Sequence, residues 1–177
     1  MKPLSEKILH SDCLYEGYFI RLEQATVELP DGRQAQREIV RHPGAVAILP
    51  ILNNKVLMVR QYRVAVEQAF WEIPAGKLEA GEAPLACAHR ELIEETGYRA
   101  EKLTELRRFY LTPGFCDEEM FLYQAKELIA DNSLQLDEDE FLEVKAFSLD
   151  EMNELLAQNQ IRDVKTMLAL ELWKQQA

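Results

Sequence analysis

Three glutamates, Glu91, Glu94 and Glu95, stand close together near the end of a predicted helix. Successive helical residues are about 100° apart, so side chains three and four positions apart share one face. Gly97 follows as a typical residue for ending a helix, and the helix dipole disfavours negative charge at that end. Carboxylates crowded there would be neutralised by a hard divalent cation such as Mg²⁺, which prefers oxygen ligands. A solvated acidic helix face is the alternative interpretation.

Two further glutamates, Glu79 and Glu82, precede the helix and complete an acidic stretch that runs from Gly76 to Tyr98. The order of residues in this stretch is G-x5-E-x7-R-E-U-x-E-E-x-G-U, where U is a bulky apolar residue, and it resembles the Nudix box. Tyr98 departs mildly from the pattern by placing an aromatic residue at the last apolar position. The matching residues are Gly76, Glu82, Arg90, Glu91, Leu92, Glu94, Glu95 and Gly97.

The composition limits the classes of protein that the chain can belong to. Its 177 residues suit one domain with a small appendage, and 47% apolar and 29% charged residues are typical of a soluble globular protein. The formal net charge of −11 argues against nonspecific binding to nucleic acid or to an anionic membrane. Cys13, Cys87 and Cys116 have no CxxC spacing, and no apolar leader or membrane-length segment is present. The expected location is therefore the cytoplasm, with reduced thiols.

Residues 1–43 are expected to form a β extension that precedes a main domain over residues 44–177. Loose alternation over residues 18–29 predicts a strand, Pro30–Gly32 a turn, and residues 34–42 the returning strand. A hairpin of this size is not stable alone. It must pack on the main domain or on a second subunit.

The main domain carries runs of residues with strand character. A continuous apolar run over residues 45–52 predicts a buried strand, and Asn53–Asn54 predicts the turn to its partner over residues 55–63. Arg60 and Arg63 in that partner point to opposite faces in extended geometry, so one can reach a ligand while the other stays in solvent. Strands are predicted at residues 45–52, 55–63, 70–73, 119–128 and 141–149.

One helix is predicted after the fifth strand, and further helices are predicted at the C-terminal end of the sequence. The acidic stretch predicts a helix that begins near Glu82 to Pro84, since proline is tolerated in the first turn. Further helices are predicted over residues 151–158, capped by Ser148 or Asp150, and over residues 161–176. The apolar stripes expected on the first and last helix are Leu85, Ala88 and Leu92, and Val164, Leu168 and Leu172. Mixed strands and helices in this order favour the α/β class, with a mixed sheet between helices.

The resemblance extends over nearly the whole chain. The segments REIVRHPGAVAILPI, VRQYRVAVEQAFWEIPAGKLEAGE, LTPGFCDE and LDEDEFLEV look like those of bacterial ADP-ribose pyrophosphatases. Pro113 lies 16 residues after Gly97, and a proline near this offset marks the ADP-ribose branch of the superfamily. The resemblance implies an α/β/α Nudix sandwich and hydrolysis of the pyrophosphate bond of ADP-ribose, which gives AMP and ribose 5-phosphate.

The resemblance also implies a cofactor, Mg²⁺ with Mn²⁺ as the alternative, and roles for the acidic residues. The implied metal ligands are the side chains of Glu91, Glu94, Glu95 and Glu140 and the backbone carbonyl of Ala75. Arg90 is expected to orient the box carboxylates, with Glu79 and Glu82 as supporting candidates. Glu138 is the implied general base, from an acidic loop over residues 137–140. A register slip of one or two residues, or a merely solvated loop, is the alternative there.

Substrate recognition is expected to fall to arginines, because their forked guanidinium groups match a diphosphate. Arg63 and Arg37 are the candidates, and Glu38 can accept a hydrogen bond from an adenine amino group or a ribose hydroxyl. An exposed cross-strand ion pair is the alternative for Arg37 and Glu38. By resemblance, the terminal ribose would be bordered by Thr112, Pro113 and Gly114.

The resemblance implies a homodimer, because in relatives the N-terminal hairpin crosses to a partner subunit. Two other functions stay open. The chain could be a hydrolase that acts on other nucleoside diphosphate sugars, or a Nudix-fold sensor that binds ADP-ribose without cleaving it. The second reading predicts a degraded box, and this box is intact.

Overall fold

The computed structural model describes residues 4–131 and 142–176. Within it the chain divides into two compact units. The first comprises residues 1–44 and 110–119, and the second comprises residues 45–109 and 120–177. The segment 110–119 is therefore part of the same compact unit as the N-terminal residues.

The first unit is built on a three-stranded antiparallel sheet in the order β1-β2-β3. Its strands are β1 (Lys7–Glu16), β2 (Arg21–Glu28) and β3 (Gln34–Arg41). The predicted hairpin is confirmed, because β2 and β3 pair in register around a turn in which Gly32 has a φ of 85°. Strand β1 was not predicted, since all ten of its residues are exposed and its sequence shows no alternation.

The second sheet is mixed and has seven strands. The main path runs in the order β10-β5-β4-β9-β8, with β6 paired to β5 and β7 paired to β4. Strand β5 pairs antiparallel with β4, β6 and β10, and β4 pairs antiparallel with β7. The pairing of β4 with β9 is parallel. The strands are β4 (Ala45–Leu52), β5 (Lys55–Arg63), β6 (Gln68–Glu72), β7 (Ala75–Lys77), β8 (Tyr98–Tyr110), β9 (Glu119–Ala130) and β10 (Glu143–Phe147).

Strand β4 lies at the centre of this sheet and is buried on both faces. Val46 and Ile48 pack in one apolar cluster with helix residues Ala88 and Leu92. Leu49 points to the opposite face, because side chains alternate along a strand, and it is fully buried as well. The continuous apolar run therefore reflects burial on both sides, as expected for a central strand.

Three α-helices occur in the described ranges: α1 (Pro84–Thr96), α2 (Leu149–Ala157) and α3 (Val164–Lys174). Helix α1 packs on β4 and β7, and α3 contacts β4. The predicted α/β class, with a mixed sheet and helices packed on it, is confirmed. Ser148 caps α2 in a reciprocal capping box with Glu151, which decides between the two candidate caps. No helix of the described residues is long and apolar enough to cross a membrane.

The apolar stripe predicted for the last helix is wrong. Val164 is exposed, whereas the buried residues of α3 are Lys165, Thr166, Ala169, Leu170 and Trp173. These follow the i, i+3, i+4, i+7 spacing of one helix face, but the face begins with a charged and a polar residue. A smaller error of the same kind occurs in α1, where Leu85 is exposed and Cys87 is buried.

Candidate active site

Helix α1 carries the acidic residues in its last two turns, as its caps dictate. Pro84 opens the helix, where its missing N–H costs no hydrogen bond. Gly97 ends it in the left-handed conformation, with a φ of 71°, and its N–H donates to the carbonyl of Ile93 at 2.8 Å. Glu91, Glu94 and Glu95 therefore stand close to the negative end of the helix dipole, where carboxylates are least stable without a compensating cation.

Arg90 is the hub of this acidic cluster. Its Nε and Nη2 donate to the two oxygens of Glu82 at 3.0 and 2.9 Å. Its Nη1 donates to Glu91 Oε1 at 2.7 Å and to Glu94 Oε2 at 2.9 Å. Hydrogen bonds from Arg90 hold the pKa of Glu82 at about 2, and bonding to the same carboxylate raises the pKa of the guanidinium. The arginine thus fixes three carboxylates relative to one another.

Glu95 fastens the helix to the segment that enters the box. Its side chain is buried, and its Oε2 accepts a hydrogen bond from the Ala75 N–H at 2.9 Å. The neighbouring Gly76 lies directly against Glu91, since a Cβ at residue 76 would come within 1.8 Å of Glu91 Cδ. Only glycine leaves room for this carboxylate. Helix α1 and strand β7 are therefore in close contact at residues 75 and 76.

The donors around Arg90 suit a hard cation in their chemistry. Three carboxylates, those of Glu82, Glu91 and Glu94, accept hydrogen bonds from the one guanidinium of Arg90, so negative charge exceeds positive charge in the cluster. The buried carboxylate of Glu95 on the same helix accepts a hydrogen bond from the Ala75 N–H. All of these donors are oxygens, as Mg²⁺ requires. In the arrangement seen, no three His, Cys, Asp or Glu side chains of the described residues converge in a ready metal-binding geometry. Hydrogen bonds turn the carboxylates of Glu82, Glu91 and Glu94 toward Arg90 and that of Glu95 toward the Ala75 N–H instead.

Arg63 is held by a buried carboxylate on the neighbouring strand. Its Nε and Nη2 donate to the two oxygens of Glu72 at 2.9 and 2.8 Å, and these bonds raise the pKa of the guanidinium. Among the residues that the structure describes, the hydrogen bonds of the Arg63 guanidinium go to Glu72. The Arg63 side chain is 41% exposed. It is an arginine fixed in direction and open on one side.

Arg37 and Glu38 are consecutive residues of β3 in the first unit, and each has a different neighbour. Arg37 donates from Nε and Nη2 to the two oxygens of Glu6, at 3.0 and 2.6 Å. Glu38 is exposed and stands opposite Gln24 in the register of β2 and β3. The ion pair that Arg37 does make joins residues far apart in sequence.

The predicted ribose-bordering residues form an exposed turn in the same unit. The Thr112 carbonyl accepts hydrogen bonds from the N–H groups of Phe115 and Cys116, at 3.1 and 2.9 Å. Asp117 ties the end of this segment to β3, because its carboxylate accepts from Arg41 at 3.1 Å and from the His42 N–H at 2.8 Å. The turn that contains Pro113 and Gly114 is thereby anchored at its base.

The remaining predicted residues divide into two groups. Glu79 is exposed, and its N–H donates to Glu82 Oε2 at 3.0 Å, which places it at the entry of the cluster. Glu138 and Glu140 lie outside the described residues.

Sequence reasoning missed Glu72 and Lys165, a buried charged pair beside Arg63. The spacing of Glu72 from Arg63 gives no sign of this contact, because it depends on the pairing of two strands.

Comparison with known proteins decides the family. The NUDIX domain family matches residues 40–169, and the N-terminal domain of nucleoside diphosphate sugar hydrolases matches residues 6–40. The chain belongs to the Nudix hydrolase family. Its N-terminal sheet corresponds to the N-terminal domain of that hydrolase group, and the acidic cluster on α1 is its Nudix box.

Two relatives and one solved structure resemble this Nudix hydrolase along nearly its whole length. The ADP-ribose pyrophosphatase of Bacillus subtilis (strain 168) is 45% identical over 97% of this chain and 94% of the relative. The methanol dehydrogenase activator of Bacillus methanolicus is 46% identical over 96% of this chain and 93% of the relative. A crystal structure of an ADP compounds hydrolase has a TM-score of 0.86 at 26% identity, over 99% of this chain and 96% of that chain. Relatives of equal identity thus carry two different activities in their names.

Proposed function

We propose that this Nudix hydrolase cleaves the pyrophosphate bond of ADP-ribose to give AMP and ribose 5-phosphate. The observation that carries the proposal is the group of three carboxylates, those of Glu82, Glu91 and Glu94, that share the one guanidinium of Arg90. The Glu91 carboxylate of this group lies directly against Gly76. Such a cluster suits reactions in which a cation offsets the charge of a phosphate substrate. The choice of ADP-ribose rests on the Bacillus subtilis relative and on Pro113.

In this proposal the helix carboxylates hold Mg²⁺, or Mn²⁺ as the alternative. The proposed ligands are Glu91, Glu94, Glu95 and Glu140 with the carbonyl of Ala75. A bound divalent ion supplies charge neutralisation and a more acidic water. Arg90 keeps Glu82, Glu91 and Glu94 in fixed positions, and Glu138 accepts the proton of the attacking water.

Arg63 is proposed to bind the substrate diphosphate. Its contact with Glu72 fixes the direction of the guanidinium before substrate arrives, which reduces the entropy lost on binding. Arg37 and Glu38 are proposed for the adenosine half of the substrate, and residues 112–114 for the terminal ribose. Binding there requires Arg37 to exchange or share its present partner Glu6.

We also propose a homodimer in the cytoplasm. Strand β1 is an edge strand whose ten residues are all exposed, including the large apolar side chains of Ile8, Leu9, Leu14 and Tyr15. An exposed edge with apolar side chains favours association, and a second copy would cover it. Sedimentation equilibrium should give twice the mass of one chain, and a monomer at micromolar concentration would contradict the dimer. The three free cysteines support a reducing compartment.

A second candidate function has its own support. The Bacillus methanolicus relative, which is 46% identical, is named as an activator of methanol dehydrogenase. Activity on several nucleoside diphosphate sugars is a further alternative, as is binding of ADP-ribose without cleavage. The excess of carboxylates around Arg90 favours a hydrolase over a simple binding protein.

A substrate panel tests these alternatives. ADP-ribose, ADP-glucose and GDP-mannose are incubated with the purified protein and Mg²⁺ or Mn²⁺, and the products are identified by mass. We expect AMP and ribose 5-phosphate, with the highest kcat/KM for ADP-ribose. Equal rates on all three would favour the broader hydrolase, whereas tight binding of ADP-ribose without AMP release would favour the sensor.

A further inference from the structure

A buried group of charged side chains joins the start of α3 to strands β5 and β6. Lys165 has 7% of its side chain exposed and Glu72 has 2%. Lysine is almost never buried to this degree unless it is paired. None of the steps proposed for hydrolysis uses Lys165, so its burial calls for another explanation.

The contacts of Lys165 converge on the carboxylate that holds Arg63. Lys165 Nζ lies 2.5 Å from Glu72 Oε2, the same oxygen that accepts from Arg63 Nη2 at 2.8 Å. Lys165 Nζ also lies 2.9 Å from Asp163 Oδ2. The Glu72 carboxylate therefore accepts hydrogen bonds from both Arg63 and Lys165.

The positive charge of Lys165 changes the net charge of the groups around Arg63. Arg63 and Lys165 each carry one positive charge and Glu72 and Asp163 each carry one negative charge, so the group is neutral. Without Lys165 the other three sum to −1, and Glu72 would balance the charge of Arg63 with no competing cation. Burial by itself would raise the pKa of Glu72, but Arg63 and Lys165 outweigh this and keep it below its ordinary value. A more negative surrounding would oppose the approach of an anionic diphosphate.

The start of α3 is a rigid base for these contacts. Asp163 caps the helix by accepting from the Thr166 N–H at 3.0 Å and from its hydroxyl at 2.6 Å. The Thr166 hydroxyl oxygen in turn accepts from the Ile73 N–H at 2.9 Å. Ile73 directly follows Glu72 in the chain, so one helix terminus fixes both the side chain of Glu72 and the backbone beside it.

We propose that Lys165 is a positioning residue for substrate binding: it fixes Glu72 so that the Arg63 guanidinium is held in one orientation and keeps its attraction for a diphosphate. The inference rests on the proposed function in taking the ligand of Arg63 to be a diphosphate. A purely structural ion pair makes a different prediction, since its loss would lower stability and leave both Arg63 and substrate affinity unchanged.

The test compares Lys165→Met with Lys174→Met, a matched control on the same helix whose partner Glu171 is 60% exposed. One readout is the dissociation constant of ADP-ribose, measured by calorimetry in EDTA so that no turnover occurs. The other is the ¹⁵N-coupled NMR signal of the Arg63 Nε–H, assigned by its absence in Arg63→Lys. We expect Lys165→Met to weaken ADP-ribose binding about tenfold or more, as misplaced binding groups do, and to broaden or shift the Nε–H signal. Lys174→Met should change neither.

Unchanged affinity together with an unchanged Nε–H signal in folded Lys165→Met would overturn the inference. Failure of the wild-type protein to bind ADP-ribose would overturn the proposed function instead, and the Nε–H signal would still decide whether Lys165 positions Arg63. If Lys165→Met does not fold, Glu72→Gln is compared with the double variant Glu72→Gln/Lys165→Met instead. The double variant removes both buried charges. These two should bind ADP-ribose equally weakly because Lys165 acts through Glu72, and a further large loss in the double variant would refute that route.

Discussion

Replacing Gly76 by alanine tests how closely the position of the Glu91 carboxylate is set. A Cβ at residue 76 would lie 1.8 Å from Glu91 Cδ and Oε1 and 2.3 Å from Oε2. Because unstrained carbon atoms come no closer than about 3.5 Å, the carboxylate must move by roughly 2 Å. The group that moves is the end of a flexible side chain, so we expect the free energy of unfolding to fall by only about 1–2 kcal/mol.

The same shift should be far more costly for hydrolysis. A misplacement of about 1 Å can cost about 100-fold in rate, and a shifted Glu91 also loses its contact with Arg90. We therefore expect kcat/KM for ADP-ribose with Mg²⁺ to fall at least about 100-fold in Gly76→Ala. The assay is release of AMP, followed beside thermal denaturation of the same sample.

Gly81→Ala is the matched control in the same segment. Gly81 has a φ of +79°, and no atom lies within 4 Å of an added Cβ. Alanine in this left-handed conformation costs about 1–2 kcal/mol, so this variant should lose stability and keep its activity. Substantial activity in Gly76→Ala, or an equal loss of activity in both variants, would refute the reasoning about Glu91.

Three further predictions concern stability. Because Arg90 holds the pKa of Glu82 at about 2 against an ordinary 4.5, Glu82 adds stability above pH 4.5 that is lost as the pH falls toward 2. Glu82→Gln should therefore flatten the fall in melting temperature over that range, and an unaltered pH profile would contradict this. Ser148→Ala should lower the free energy of unfolding by about 1 kcal/mol in urea titrations without changing activity, and an unchanged midpoint would count against the cap. Trp173→Ala should cost about 3–5 kcal/mol in the same titrations. Val164→Ala should cost less than about 0.5 kcal/mol, and similar losses in the two variants would contradict the buried face of α3.

The strands and helix ends that local chemistry determines could be predicted from the sequence. The bounds of β4 and β5 match the prediction, because β4 is buried on both faces and Asn53 and Asn54, with φ of 50° and 59°, form the hairpin turn. Helix α1 begins at Pro84 and ends before Gly97 for equally local reasons. Each of these signals lies within a few residues of the element that it determines.

Elements whose environment depends on distant residues could not be predicted. Strand β1 has ten exposed residues, so no alternation of polarity marks it. The buried face of α3 includes Lys165, because Glu72, 93 residues earlier in the chain, neutralises it. A pattern of apolar residues cannot reveal that partner, and it favoured the stripe that begins at the exposed Val164 instead.

The candidate site divides in the same way. The spacing of Glu91, Glu94 and Glu95 on one helix face follows from the helical period and was read from the sequence. The bidentate contact between Arg63 and Glu72 depends on the pairing of β5 with β6, in which Val59 stands opposite Glu72. The helix carboxylates could therefore be recognised as a group from the sequence. The partner that fixes Arg63 could not, because it depends on the pairing of strands.

The central claim is that the carboxylates of α1 hold the cation that hydrolysis requires, and Glu95→Gln tests it most directly. Glutamine keeps the shape of the side chain and an oxygen that can accept from the Ala75 N–H, but it removes the charge. We expect kcat for ADP-ribose to fall at least about 100-fold and Mn²⁺ binding, measured by electron paramagnetic resonance, to weaken, while the melting temperature stays near that of the wild type. Near-normal turnover and unaltered Mn²⁺ binding in folded Glu95→Gln would contradict the account.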